Sequence, residues 1–118
     1  MNKYKRADRV AALLQEEVSN YLLFELKNAD LGFITITRVK VSDDLRHARI
    51  FYSVLGEQER IDATAKRLAQ LTGPVRGEMG HRLVLRYVPE IDFAYDDSAA
   101  YAAHIQEVIE KIHREEKS

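Results

Sequence analysis

ITITRVKVSDDLRHARIFYSVLG, residues 34–56, carries two alternating runs on either side of a turn. In the first run Ile34 and Ile36 alternate with Thr35 and Thr37, and the apolar set then resumes at Val39 and Val41, one residue out of phase. A one-residue bulge near Thr37-Arg38 returns both pairs to the same face. Ser42-Asp43-Asp44-Leu45 has turn chemistry, because short polar side chains there bond their own backbone. The second run, about His47 to Leu55, places Ala48, Ile50, Tyr52 and Val54 on one face and Arg49, Phe51 and Ser53 on the other. The two runs predict an antiparallel hairpin, with its first strand over about Phe33 to Val41.

Helical periodicity flanks the hairpin. From about Asp8 to Lys27, Val10, Leu14, Val18 and Tyr21 recur on one face with Leu13 and Phe24 beside them, and Asn28 to Gly32 ends the helix. From about Gln58 to Leu71, Ile61, Ala65, Leu68 and Thr72 fall in register. Thr72-Gly73-Pro74 then interrupts the pattern. Gly73 suits a left-handed helix end and Pro74 the first turn of a new helix, so a second, shorter helix is expected from about Pro74 to His81, set at an angle. A third strand is expected from about Leu83 to Val88 and on to Tyr95, with Pro89 implying an edge position. Its simplest partner is strand one. Asp96-Asp97-Ser98 reads as a capping cluster before a last helix carrying Tyr101, Ile105, Val108, Ile109 and Ile112, and residues 114–118 read as a solvated tail. The order α-β-β-α-turn-α-β-α predicts one α+β domain, a three-stranded sheet with helices on one face.

The 118 residues suit one core. There is no cysteine, which excludes disulfides and thiolate metal sites and fits a reducing compartment, and the basic start lacks the apolar segment of a signal peptide. No apolar run approaches the roughly 20 residues that span a bilayer. A cytoplasmic location without membrane contact is expected. The formal net charge is −1, so any case for a polyanionic partner rests on distribution. Residues 1–9 hold four bases and one acid, residues 38–86 ten bases and six acids, and residues 87–118 three bases and eight acids. The N-terminal arm and the strand-helix middle are basic, and the C-terminal third is acidic. Such a stripe neutralises phosphates through counterion release.

Constellations for catalysis are weak. The four histidines, His47, His81, His104 and His113, have no metal-ligand spacing, and Asp43-Asp44 and Asp96-Asp97 are explained by turn and cap chemistry, so neither catalysis, metal nor cofactor is expected. The broken helix pair is more informative. KH domains clamp nucleic-acid backbone with a GXXG loop between two helices. Here that place holds Thr72-Gly73-Pro74-Val75, and the literal match Gly77-Glu78-Met79-Gly80 falls inside a predicted helix with a carboxylate that repels phosphate. With a degenerate clamp, affinity comes from distributed cations and shape, as for folded RNA. Charge and position nominate Arg6, Arg9, Arg46, Arg49, Arg60, Lys66, Arg67, Arg76 and Arg82 as phosphate contacts, with Thr72 and Arg76 nearest the kink. Tyr21, Phe33, Phe51, Tyr52 and Tyr87 could stack bases, but those on the alternating core face are expected to pack, whereas Phe51, on the opposite strand face, stacks RNA or is covered by protein, cover being the favoured reading. The competing reading is a protein-interaction module using the acidic last helix.

Residues 34–56 closely resemble the central hairpin of ribosome-binding factor A, and RLVLRYVPEIDFAYDDS, residues 82–98, resembles that family's third strand and the acidic entry to its last helix. Arg6-Ala7-Asp8-Arg9-Val10 is similar to the start of its first helix. The resemblance implies a type II KH-like fold in which a helix-kink-helix replaces GXXG. Gly73 keeps the family's kink glycine, while Pro74 stands where a bulky apolar residue is usual. It also implies binding to the immature small ribosomal subunit near the 5′ end and neck region of its 16S rRNA. Late maturation, greatest need in the cold, release helped by a maturation GTPase or an initiation factor, and a monomeric state complete the expectation.

Overall fold

The hairpin forms as its alternation predicts. In the computed structural model, which describes residues 2–25, 31–97 and 109–114, β1 (Phe33–Val41) and β2 (His47–Leu55) pair antiparallel. The register shifts between Ile36 and Arg38, so the bulge sits at Thr37. A bulge leaves ladder groups without strand partners. Here the Gln15 side-chain amide approaches the Ile36 and Thr37 carbonyls at 3.5 and 3.4 Å, and the Thr37 hydroxyl donates to Asp96 at 2.6 Å. Asp96 is buried, and its N–H donates to the Tyr52 carbonyl. It ties the sheet together there, a role the expected helix cap did not include.

β3 (Glu90–Tyr95) corrects two expectations. It pairs parallel with β2, not with β1, giving the order β1-β2-β3. A helix between two strands returns the chain to the starting end of the sheet, so a parallel neighbour is the natural outcome. The strand is also shorter than its alternation suggests. His47 opposes Glu90, so residues upstream of Glu90 would have to pair with the turn that precedes β2, and Pro89 brings no N–H. Residues 83–89 therefore form a loop. Pro89 does precede an edge strand, as its chemistry requires.

Two helices cover one face. α1 (Asn2–Asn20) begins earlier than expected and passes into a π-helical turn at Tyr21–Glu25. Ala7, Val10, Leu14, Val18 and Leu22 are buried along it, whereas Leu13 and Phe24, expected beside that stripe, are largely exposed. α2 runs without interruption over Gln58–Arg82. The expected turn at Thr72-Gly73-Pro74 is thus helical, and Pro74 lies inside one helix instead of opening a second. The cost of that proline is one helical hydrogen bond and crowding against the carbonyl four residues back. The stripe that continues through it, Thr64, Leu68, Leu71, Val75 and Met79, is buried. It packs with Ile34, Ile36, Ala48, Ile50, Tyr52, Val54 and Ile91 from the sheet. Thr64 is tolerated there because its hydroxyl donates to the Leu31 carbonyl.

Residues 109–114 are helical with exposed side chains. Ser98, Tyr101, His104, Ile105, Val108 and residues 115–118, the remainder of the expected last helix and tail, lie outside the described residues.

Arg82 closes the far end of α2. It bridges Glu17, Glu25 and Glu78, and its guanidinium lies 5.3 Å from the Tyr21 ring centroid. The group is only one-fifth exposed. Arg82→Met leaves three carboxylates facing one another, and we expect a loss of about 2 kcal/mol in urea unfolding.

Candidate nucleic-acid interface

The β1–β2 turn projects an arginine because its backbone is fixed locally. Ser42 N–H donates to the His47 carbonyl at 2.9 Å and Leu45 N–H to the Ser42 carbonyl at 2.9 Å. The Asp44 carboxylate accepts from the Ser42 hydroxyl at 2.6 Å and from Arg46 N–H at 3.0 Å. These two bonds, the hydroxyl's first, hold the Asp44 carboxyl below the usual carboxylate range. Leu45 adopts φ 62°, a conformation that costs a non-glycine residue about 1 kcal/mol and that its packing against the core offsets. Arg46 then points into solvent while its carbonyl accepts from Glu90 N–H at 2.8 Å.

The loop over residues 83–89 supplies the opposite wall. Leu83, Leu85 and Val88 pack against the core, and Arg76 donates to the Val88 and Pro89 carbonyls at 3.0 and 3.2 Å. The side chains between these anchors face outward: Val84 is fully exposed, Arg86 is exposed, and Tyr87 is 53% exposed. The alternation expected of a strand survives here without a ladder.

Turn, loop and the start of α1 enclose a cleft of about 610 Å³. Arg6 from α1, Arg46 from the turn and Arg86 from the loop line it, with Val84, Tyr87 and Pro89. Asp44 is its one acid among the described residues. Among the described residues none of the three guanidinium groups makes a hydrogen bond or close ion pair with a carboxylate or carbonyl, although the charge of Arg46 also acts on the neighbouring Asp44 carboxylate. Arginine forks match phosphate oxygens in bidentate fashion and stay charged at every physiological pH. On the other side of the turn a second groove, about 510 Å³, is lined by Lys40, His47, Arg49, Glu90 and Asp92 among others. The turn is therefore flanked by basic side chains on both sides.

The remaining nominated residues divide. Arg9 is exposed on α1, three residues beyond Arg6. Arg49 faces solvent in an ion pair with Asp92 at 3.0 Å, which raises its pKa through the hydrogen bond to that carboxylate. Both side chains are more than half exposed, so the pair contributes little. Asp92→Asn should leave the urea midpoint of unfolding nearly unchanged while freeing Arg49. Lys66 is exposed on α2, and Arg67 donates to Gln70 at 2.9 Å. Arg60 lies over Gly32 and Gly56, where its side chain would stand 3.1–3.2 Å from an added Cβ. Thr72 donates to the Leu68 carbonyl within its own helix. Arg76 and Arg82 are committed to loop carbonyls and to carboxylates, so geometry takes both away from a phosphate surface. The nominated cations thus do not form one stripe along α2. Arg6 and Arg46 converge, and Arg86 and Tyr87, which the charge reading passed over, complete their cleft. The signal for them was the outward phase of residues 84 and 86 with an aromatic residue beside it.

Phe51 lies under the Arg38 guanidinium, 4.1 Å from the ring centroid, so protein partly covers it. Tyr52 is buried and Tyr21 half-buried. Phe33, expected to pack, is 78% exposed opposite exposed Leu55.

The family signature of ribosome-binding factor A matches residues 6–109. The chain belongs to the ribosome-binding factor A family. A ribosome-binding factor A from Syntrophus aciditrophicus is 45% identical over 118 residues, covering 100% of this chain and 96% of the relative. The crystal structure of ribosome-binding factor A from Thermus thermophilus superposes with a TM-score of 0.66 at 17% identity, over 75% of this chain and 94% of that one. Coordinates of the Thermus thermophilus factor fitted into a map of a 30S complex give 0.62 at 17% identity, over 74% and 91%. These two superpositions establish the fold. The α-β-β-α-β order with its mixed sheet is the KH-like architecture of ribosome-binding factor A structures. Within it, Pro74 sits inside an unbroken helix where a GXXG loop would otherwise stand.

Proposed function

We propose that this chain is a non-catalytic RNA-binding factor of the small ribosomal subunit. The observation that carries the reading is the cleft lined by Arg6, Arg46 and Arg86, none of which makes a hydrogen bond or close ion pair to a carboxylate among the described residues, in a chain of this family. The Thermus relative fitted in a 30S complex supports the choice of partner. The finer reading is that the chain acts in late maturation, contacts 16S rRNA near its 5′ end and the neck, and matters most in the cold. It leaves before translation with a maturation GTPase or an initiation factor. It works as a cytoplasmic monomer. Phosphate contacts fall to Arg6, Arg9, Arg46 and Arg86, with Lys40, Lys66 and Arg67 as outlying positive charge. Sedimentation with immature and mature small subunits tests this. The chain should travel with the immature particle, and its affinity should fall about a hundredfold between 50 and 200 mM salt if four phosphates are neutralised. Binding that ignores salt, or no co-sedimentation, overturns the reading.

A further inference from the structure

The cleft has more than charge. A duplex presents its phosphates on a convex surface, which protruding side chains reach without a pocket. Here the three arginines surround a concavity whose remaining walls include Val84, Tyr87 and Pro89. Its volume, about 610 Å³, lies in the range of small-molecule sites. Tyr87 is more than half exposed, and among the described residues no ring or guanidinium stacks on it. An aromatic face left open beside exposed arginines is the pairing that single-stranded nucleic acid uses, with bases stacking on the ring and cations taking the backbone.

We propose that the cleft takes one unpaired nucleotide of an RNA strand, its base against Tyr87 and its phosphate among Arg6, Arg46 and Arg86. This deepens the proposed function and rests on the same residues, but it makes a claim of its own: the strand is open at this point. The walls hold still for such a ligand, because Leu83, Leu85 and Val88 are anchored in the core and Arg76 grips the loop backbone. The base is held by stacking, so little sequence preference follows, while a duplex cannot enter.

The test uses the full chain and fluorescence anisotropy with two labelled probes, single-stranded ten-residue oligoadenylate RNA and a ten-base-pair RNA duplex. Tyr87→Leu should weaken the single strand about tenfold and leave the duplex unchanged, and Tyr87→Phe, which keeps the ring, should bind the single strand like the parent. Since Tyr87 lies at the surface, an unchanged circular dichroism spectrum accompanies both variants. Equal single-strand affinity of the Leu variant and the parent overturns the proposal, as does an equal loss on the duplex. Failure to travel with small subunits, measured separately, instead sinks the proposed function and leaves the strand assay readable.

Discussion

Arg46→Glu combined with Arg86→Glu is expected to lower affinity for immature small subunits about a hundredfold at 0.1 M salt, with the fold unchanged. Both residues line the cleft, one from the turn and one from the loop. With Arg6 and Asp44 they give the cleft a net charge of about +2, and the double reversal makes it about −2. Two phosphate contacts become two repulsions, and like charges brought together at an interface cost several kcal/mol. The salt dependence should also flatten, its log–log slope falling by about 1.4–1.8, because two fewer counterions are released. Neither side chain supports the fold. Arg46 holds Glu90 through its carbonyl, which the substitution keeps, and Arg86 is exposed. Anisotropy or pelleting across a salt series, with a circular dichroism control, measures the effect. Undiminished binding would place the RNA surface elsewhere.

Leu14→Ala should destabilise the domain by about 3–4 kcal/mol. Leu14 is fully buried in α1, in the cluster with Ile50, Leu68 and Met79. Its truncation removes apolar burial and leaves a cavity that rigid β strands cannot collapse into. For a domain whose whole stability is on the order of 5–15 kcal/mol, that is a large share. Leu13→Ala, one residue earlier but 46% exposed, should cost less than about 1 kcal/mol. Urea unfolding compares them, and the Leu14 change should move the midpoint without changing the slope. Equal effects at the two positions would contradict the packing described.

Residues 33–55 were legible almost to the residue, because alternation with a single phase slip leaves few ways to keep Ile34, Ile36, Val39 and Val41 on one side. The turn was legible for the same local reason, since Ser42 and Asp44 satisfy backbone groups close to them in sequence. Elsewhere tertiary context decided. Thr72-Gly73-Pro74 has every local mark of a helix end, yet Leu71 and Val75 on either side of it are both buried and the helix continues. Reading a break there also rotated the expected core face toward Ala65 and Thr72, away from Thr64, Val75 and Met79. Residues 83–88 alternate like a strand, but whether a strand forms depends on where β2 begins, a fact held far upstream in the chain. The cleft was least legible. Arg82 and Arg86 look alike in the sequence, and only their surroundings, three carboxylates against none among the described residues, separate them.

Arg76 reaches from α2 to two carbonyls of the 83–89 loop, and this has a thermodynamic consequence. An ordinary surface loop must be ordered when it grasps something, and that ordering subtracts from affinity. This one is already ordered by its own protein. Whatever occupies the cleft meets a jaw already held in shape, so less of its contact energy is spent on ordering the loop.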